Sequence, residues 1–130
     1  MRAMHIFADN DRAIAERDAL RVRDMERFLK LVNESGKSSL QGLQNVTPAG
    51  AVKKQEAAFV IMYLEELLGG RGAVRIHGGG FGGTVQAFVP LDMAESFRAE
   101  ADRVLGEGAC SVMSIRQYGC AETDEEGRPL

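Results

Sequence analysis

Metal chemistry has little to work with in this sequence, whose 130 residues include two cysteines and two histidines. Cys110 and Cys120 lack the spacing of metal ligands, so no zinc site is expected. They read as a buried small hydrophobe and a surface thiol. Basic residues are not in excess either: 16 Lys and Arg stand against 19 Asp and Glu, giving a formal charge of −3 and a pI near 5.4. That balance argues against nucleic acid as a partner, because sequence-independent binding needs a basic face. The charges are scattered, as on an ordinary solvated surface. No apolar run is long enough to span a bilayer and nothing resembles a signal peptide, so the expectation is a cytoplasmic protein without a membrane partner. A single domain of this length can bury roughly two-thirds of its unfolded surface.

Glycine, in contrast, is concentrated. Five of the eight residues in His77-Gly78-Gly79-Gly80-Phe81-Gly82-Gly83-Thr84 are glycine, and the run lies between two strand-like segments, Ala73 to Ile76 and Thr84 to Val89. Glycine weakens regular structure, so packing this many into one turn implies that something comes very close to the backbone. The usual candidate is a phosphate, held by main-chain N–H groups. A plain hairpin turn would need only one or two glycines. Three common phosphate loops fail on context. Gly78, Gly80 and Gly83 fit G-x-G-x-x-G, but the dinucleotide fingerprint must open a helix and a strand follows here. The protein-kinase loop has the right strand–loop–strand setting, yet no V-A-I-K, H-R-D or D-F-G follows. Ser35-Gly36-Lys37-Ser38 resembles the end of a P-loop, but Leu31 occupies the first glycine position and a helix precedes it.

Periodicity organises the rest. Met4, Phe7, Ala8, Ile14 and Ala15 recur at helical spacing, as do Val22, Met25, Phe28, Leu29 and Val32. Two helices, or one bent helix, are expected from about Arg2 to Leu40, with the Met and Phe residues as core positions. Gln41 to Ala49 reads as a loop. A third helix is expected from Gly50 to Leu68, apolar nearly all round and therefore buried on most sides, and ended by Gly69-Gly70. The hairpin follows, then a helix marked by Ala94, Phe97, Ala101, Val104 and Leu105, then a last strand from Cys110 to Ile115. Residues 1–120 form the expected domain and 121–130 a mobile tail without an apolar face. The fold class is α+β, with helices on one face of an antiparallel sheet.

Three segments resemble galactokinases of the GHMP small-molecule kinase superfamily. Arg75 to Thr84 is similar to their third conserved motif. Arg2-Ala3-Met4-His5 with Asn10-Asp11-Arg12 resembles the R-x-x-H and E-N-x-R that open this region. Val32-Asn33-Glu34-Ser35 with Ser38-Ser39-Leu40 is similar to N-E-S-H-x-S-L. The motifs occur in the family's order and cover most of the chain up to Val89. Gly36 stands where a histidine is usual, and His77 where many members carry threonine. The resemblance implies the ferredoxin-like C-terminal domain of these kinases, whose first strand lies upstream of the matched region. It implies transfer of the γ-phosphoryl group of ATP, with Mg²⁺, to the anomeric hydroxyl of galactose or a related sugar. The catalytic aspartate and the phosphate loop of that activity belong to an N-terminal domain, so no catalytic residue, no metal ligand and no tightly bound cofactor is expected here. His77, Gly78, Gly79, Gly80, Phe81, Gly82 and Gly83 are the expected substrate-proximal wall. Arg75 is expected to be a solvated or structural charge, and Arg2, His5, Asn33, Glu34 and Ser35 packing or capping groups. The reading of a stand-alone ligand-binding or regulatory domain stays open beside this one. With the first strand absent, the isolated chain is expected to pair through open sheet edges, most simply as a homodimer.

Overall fold

The computed structural model describes residues 1–115, 122, 124–126 and 128. The chain begins with two helices in the expected region, α1 (Arg2–Arg21) and α2 (Met25–Ser38). Arg23 at φ 58° turns the chain between them, and the Asp24 carboxylate caps α2 by accepting the Arg27 N–H at 3.0 Å, as an N-cap acid should. A π-helical turn, Ser39–Leu43, ends at left-handed Gln44.

The third helix, α3, spans Glu56–Leu68 rather than starting at Gly50. Gly50 adopts φ 73°, a conformation outside the right-handed helix, so residues 50–55 extend the preceding loop. The C-terminal end falls where expected, at Gly69 and Gly70 with φ 55° and 81°. The burial of α3 is one-sided. Ala57, Leu64 and Leu68 face inward while Phe59 and Met62 are about half exposed. Strands β1 (Ala73–Ile76) and β2 (Val85–Phe88) pair antiparallel with Ala73 opposite Phe88 and Ile76 opposite Val85. Helix α4 (Ala94–Leu105) follows a short 3₁₀ turn.

Strand alternation splits the core in two. Ala73 points to Ala19, Phe28 and Val32 of the first two helices, where Phe28 meets Phe88 edge-on at 5.2 Å between ring centroids. Val74 points the other way, to Leu64, Leu68, Phe97 and Ala101 of α3 and α4, and Ile76 joins it on that side against Ala57 and Val46. The two faces of the sheet are therefore served by different helix pairs, not by helices on one face. The hairpin is the shared layer, and burying Val74 and Ile76 on it contributes about 1.5–3 kcal/mol per side chain.

Two further expectations are corrected. Cys110 to Ile115 forms no strand. Val112, Met113 and Ile115 are 70–88% exposed, and alternation alone makes no strand without a ladder of backbone partners. The large apolar residues expected in the core from α1 are not there either: Met4, Phe7 and Ile14 are exposed, and the helix buries His5 and Ala19. Periodicity finds a stripe but not the side to which it turns, and in α1 the polar stripe faces the protein. Cys120 and half of the expected tail, 121, 123, 127, 129 and 130, lie outside the described residues.

Candidate functional site

The turn between β1 and β2 is built from left-handed backbone. Gly78, Gly80, Phe81 and Gly82 have φ of 66°, 83°, 60° and 83°. Three of these four sites are glycine because side chains rarely tolerate that region; Phe81 is the exception, and its ring is mostly exposed. His77 extends the ladder by donating its N–H to Thr84 at 2.8 Å, and its ring contacts the Gln86 amide oxygen at 3.2 Å on the surface.

What approaches the glycines most closely is the protein itself. A Cβ on Gly80 would stand 2.2 Å from the Asn45 carbonyl oxygen and 2.7 Å from Asn45 Nδ2. The Asn45 carbonyl accepts the Phe81 N–H at 2.5 Å, and its side-chain amide donates to the Gly79 carbonyl at 3.2 Å. Pro48 lies 3.5 Å from the corresponding position on Gly82. Around Gly78 and Gly79, in contrast, no described residue lies within 4 Å of where a Cβ would stand. The turn has a braced limb at Gly80–Gly82 and an open limb at Gly78–Gly79. Sequence reasoning missed Asn45, which reads only as one polar residue of a loop; nothing local marks it.

A second constellation draws all three matched segments together. From α1, His5 is 5% exposed. Its Nδ1 lies 2.9 Å from Ser38 Oγ, and its Nε2 lies 3.8 Å from Asp9 Oδ2. Asp9 Oδ1 accepts from Arg12 at 2.8 Å and from the buried Ser35 hydroxyl at 2.6 Å. Ser35 in turn accepts from Arg75 of β1 at 2.7 Å. Burial alone would push the Asp9 carboxyl up, but Ser35, Arg12, Arg75 and His5 together hold it below the usual carboxylate range. Glu16 is pushed the other way by burial, against the pull of Arg75. Arg75 and Ser35 are thus structural, as expected, while Arg2 and Glu34 are exposed.

Asn33 caps a strand rather than a helix. Its Oδ1 accepts the Val74 N–H and its Nδ2 donates to the Gly72 carbonyl, both at 3.1 Å. Three residues on, a Cβ at Gly36 would lie 3.0 Å from the Val74 carbonyl oxygen and 3.1 Å from Arg75 Cβ, so a side chain there would press α2 away from β1.

Two surface depressions, of about 620 and 440 Å³, flank α2 and include no residue of the glycine turn. Among the described residues no three His, Cys, Asp or Glu side chains are grouped to hold a metal ion, and no helix is long and apolar enough to cross a membrane. The Cys110 thiol is half-buried and pushed up by burial and by Asp102, the opposite of an activated nucleophile.

No protein-family profile matches the chain, and no solved structure does. Curated proteins do. The chain is 30% identical to a galactokinase from Mannheimia succiniciproducens over 97 residues, which is 75% of this chain and 23% of that protein. It is 29% identical to a galactokinase from Glaesserella parasuis over 125 residues, 95% of this chain and 30% of that protein. The chain spans less than a third of the length of these relatives, and the matches support a galactokinase-like relationship.

Proposed function

We propose that the chain is the C-terminal portion of a galactokinase-like sugar kinase, with the ferredoxin-like GHMP fold. Its glycine turn then forms one wall of a cleft in which the γ-phosphoryl group of ATP passes to the C1 hydroxyl of galactose or a close relative. The observation that carries this reading is the open limb of the turn. Gly78 and Gly79 leave room beside the backbone that no residue of the described chain fills, whereas Gly80 is crowded by Asn45 and Gly83 by the Gly80 carbonyl oxygen. The positive φ of Gly78 and Gly82 favours glycine at those two positions in any case. Backbone without a side chain is what a phosphate or a sugar hydroxyl needs for close approach. Mg²⁺ and ATP would reach the turn from the facing domain, and the chain's own part is to exclude bulk and to present N–H groups.

Phosphoryl transfer also needs a group that orients or deprotonates the sugar hydroxyl. Among the described residues no Asp or Glu hydrogen-bonds to the turn; Asp9 is tied to Arg12 and Ser35. The 130-residue chain alone is therefore inactive in this reading, and an N-terminal catalytic domain is its partner. A stand-alone ligand-binding or regulatory domain is the second reading, favoured by that same lack of a base. The deciding experiment measures ATP-dependent galactose 1-phosphate formation by the 130-residue chain and by the product of its whole reading frame. The expected result is no turnover by the chain and turnover by the longer product. Turnover by the chain alone overturns the division of labour; a frame that adds no catalytic domain favours the regulatory reading.

A further inference from the structure

We propose that Asn45 is the positioning residue of the glycine turn, clamping its Gly80–Gly82 limb so that the Gly78–Gly79 limb is held open toward an anionic ligand. This rests on the reading of the turn as ligand-facing.

Asn45 is 4% exposed although it lies in a loop. It uses two separate groups on the same turn, the main-chain carbonyl on Phe81 N–H and the side-chain Nδ2 on the Gly79 carbonyl. The first bond fixes the non-glycine residue at φ 60°, a conformation that persists only when its surroundings hold it. The second bond draws the Gly79 carbonyl inward. Gly78 and Gly80 have positive φ and Gly79 between them does not, and an alternation of hand over neighbouring residues is one way a backbone concavity for an anion arises. Clamping also means the open limb need not be ordered when the ligand arrives, so less affinity is lost to ordering.

Asn45 Oδ1 sharpens the point. It is buried and has no partner among the described residues, a costly state for an amide oxygen. An amide whose nitrogen is used and whose oxygen is idle is kept for the nitrogen, and the nitrogen's partner is the turn. Gly80 complements this from the opposite side, since any side chain there would collide with Asn45.

The test is amide hydrogen exchange by NMR on the full 130-residue chain, followed by titration with inorganic pyrophosphate as probe. In the native chain the Phe81 amide should exchange at least about tenfold more slowly than those of Gly78 and Gly79; equal rates overturn the proposal without any variant being made. Asn45→Ala keeps the main-chain carbonyl that accepts the Phe81 N–H and removes the Nδ2 bond to Gly79. Because that side-chain bond holds the turn against the loop, Phe81 exchange should still speed about fivefold while Arg75, inside the ladder, stays unchanged. Less than about a twofold change overturns the role of the Asn45 side chain. If Arg75 speeds up as well, the fold has changed, and Gly80→Ala, which pushes the turn off an intact Asn45, replaces it with the same criteria. Pyrophosphate should shift the Gly78 and Gly79 amides, and Asn45→Ala should weaken that binding about fivefold. A loosened Phe81 with unchanged binding overturns the positioning role. No shifts even in the native chain would sink the ligand-facing reading, and exchange alone would then decide the clamp.

Discussion

The two edges of the hairpin are built differently. In the observed register the outward N–H and C=O groups are those of Val74 and Ile76 on β1, and of Val85 and Ala87 on β2. On β1 two of the four are answered by described residues: Asn33 takes the Val74 N–H and Arg75 Nε donates to the Ile76 carbonyl at 3.1 Å, while α2 packs over the strand, with Gly36 close to the Val74 carbonyl. On β2 none is answered by a described residue. The same two-stranded unit thus has one edge closed by a helix and one left as a template. An edge strand in a finished sheet is normally blunted; here β1 is the covered edge and β2 the edge without a partner among the described residues.

The largest expected effects come from opening the closed edge. Asn33→Leu strands the Val74 N–H and the Gly72 carbonyl together. With about 1–3 kcal/mol for each of the two groups left without a partner, the loss should be about 2–6 kcal/mol, read as a lower urea midpoint at constant slope. Gly36→Val comes next. Its branches must enter a gap already at contact distance, and overpacking of this kind costs about 1–3 kcal/mol. Gly79→Ala serves as the control because its Cβ enters open space, and it should stay within about 0.5 kcal/mol. Equal losses for Gly36→Val and Gly79→Ala would dissolve the distinction between packed and open glycines.

How much of this could be read beforehand differs between the elements. Both strands and α4 were legible because short β-rich runs flank the glycines and Ala94, Phe97, Ala101, Val104 and Leu105 keep a helical repeat. The bend between α1 and α2 was legible only as an alternative. The failures share a cause, since each depended on which partner is present. Gly50 looked like a helix start because the apolar run downstream is continuous, but the backbone there is left-handed. Met4 and Phe7 looked like core because periodicity cannot tell an inward stripe from an outward one. Cys110 to Ile115 has a strand's alternation and no ladder. At the site, the close approach that the structure shows is made at Gly80 by Asn45, 35 positions earlier, which carries no local mark of its role.

A smaller effect is expected at the open edge. If β2 is a template, the 130-residue chain should self-associate, most simply as a two-fold dimer, and light scattering at micromolar concentration should exceed the monomer mass. Ala87→Pro removes one outward N–H without touching the β1 ladder, a position where an edge strand tolerates proline. It should shift the chain toward monomer while changing the urea midpoint little. A native chain that is strictly monomeric and stably folded would mean that the β2 edge is satisfied by another part of the chain, and the two edges would no longer differ.

The smallest effect is the pH dependence of the α1–α2–β1 joint. The Asp9 carboxyl faces His5 and Arg12 of its own helix, Ser35 of α2 and Arg75 of β1, and is held below the usual carboxylate range despite its burial. A carboxyl depressed in the folded state contributes stability that is complete above its unfolded value, near pH 4, and is lost as pH falls through the folded value. Glu16 works in the opposite sense. Its carboxyl is raised by burial, so its contribution is complete below the unfolded value and is lost as pH rises through the folded one. The two partly offset each other in the same acidic window, and Asp9 is partly exposed, so solvent screening limits the Asp9 share to about 1 kcal/mol or less. Urea midpoints between pH 3 and 7 should therefore fall toward acid in the native chain. Asp9→Asn, which cannot titrate, should flatten that fall, and Glu16→Gln should steepen it. If Asp9→Asn leaves the slope unchanged, the joint that gathers the three matched segments is held by packing around Ala19, Phe28 and Val32, and its charges add nothing to the closed side of the molecule.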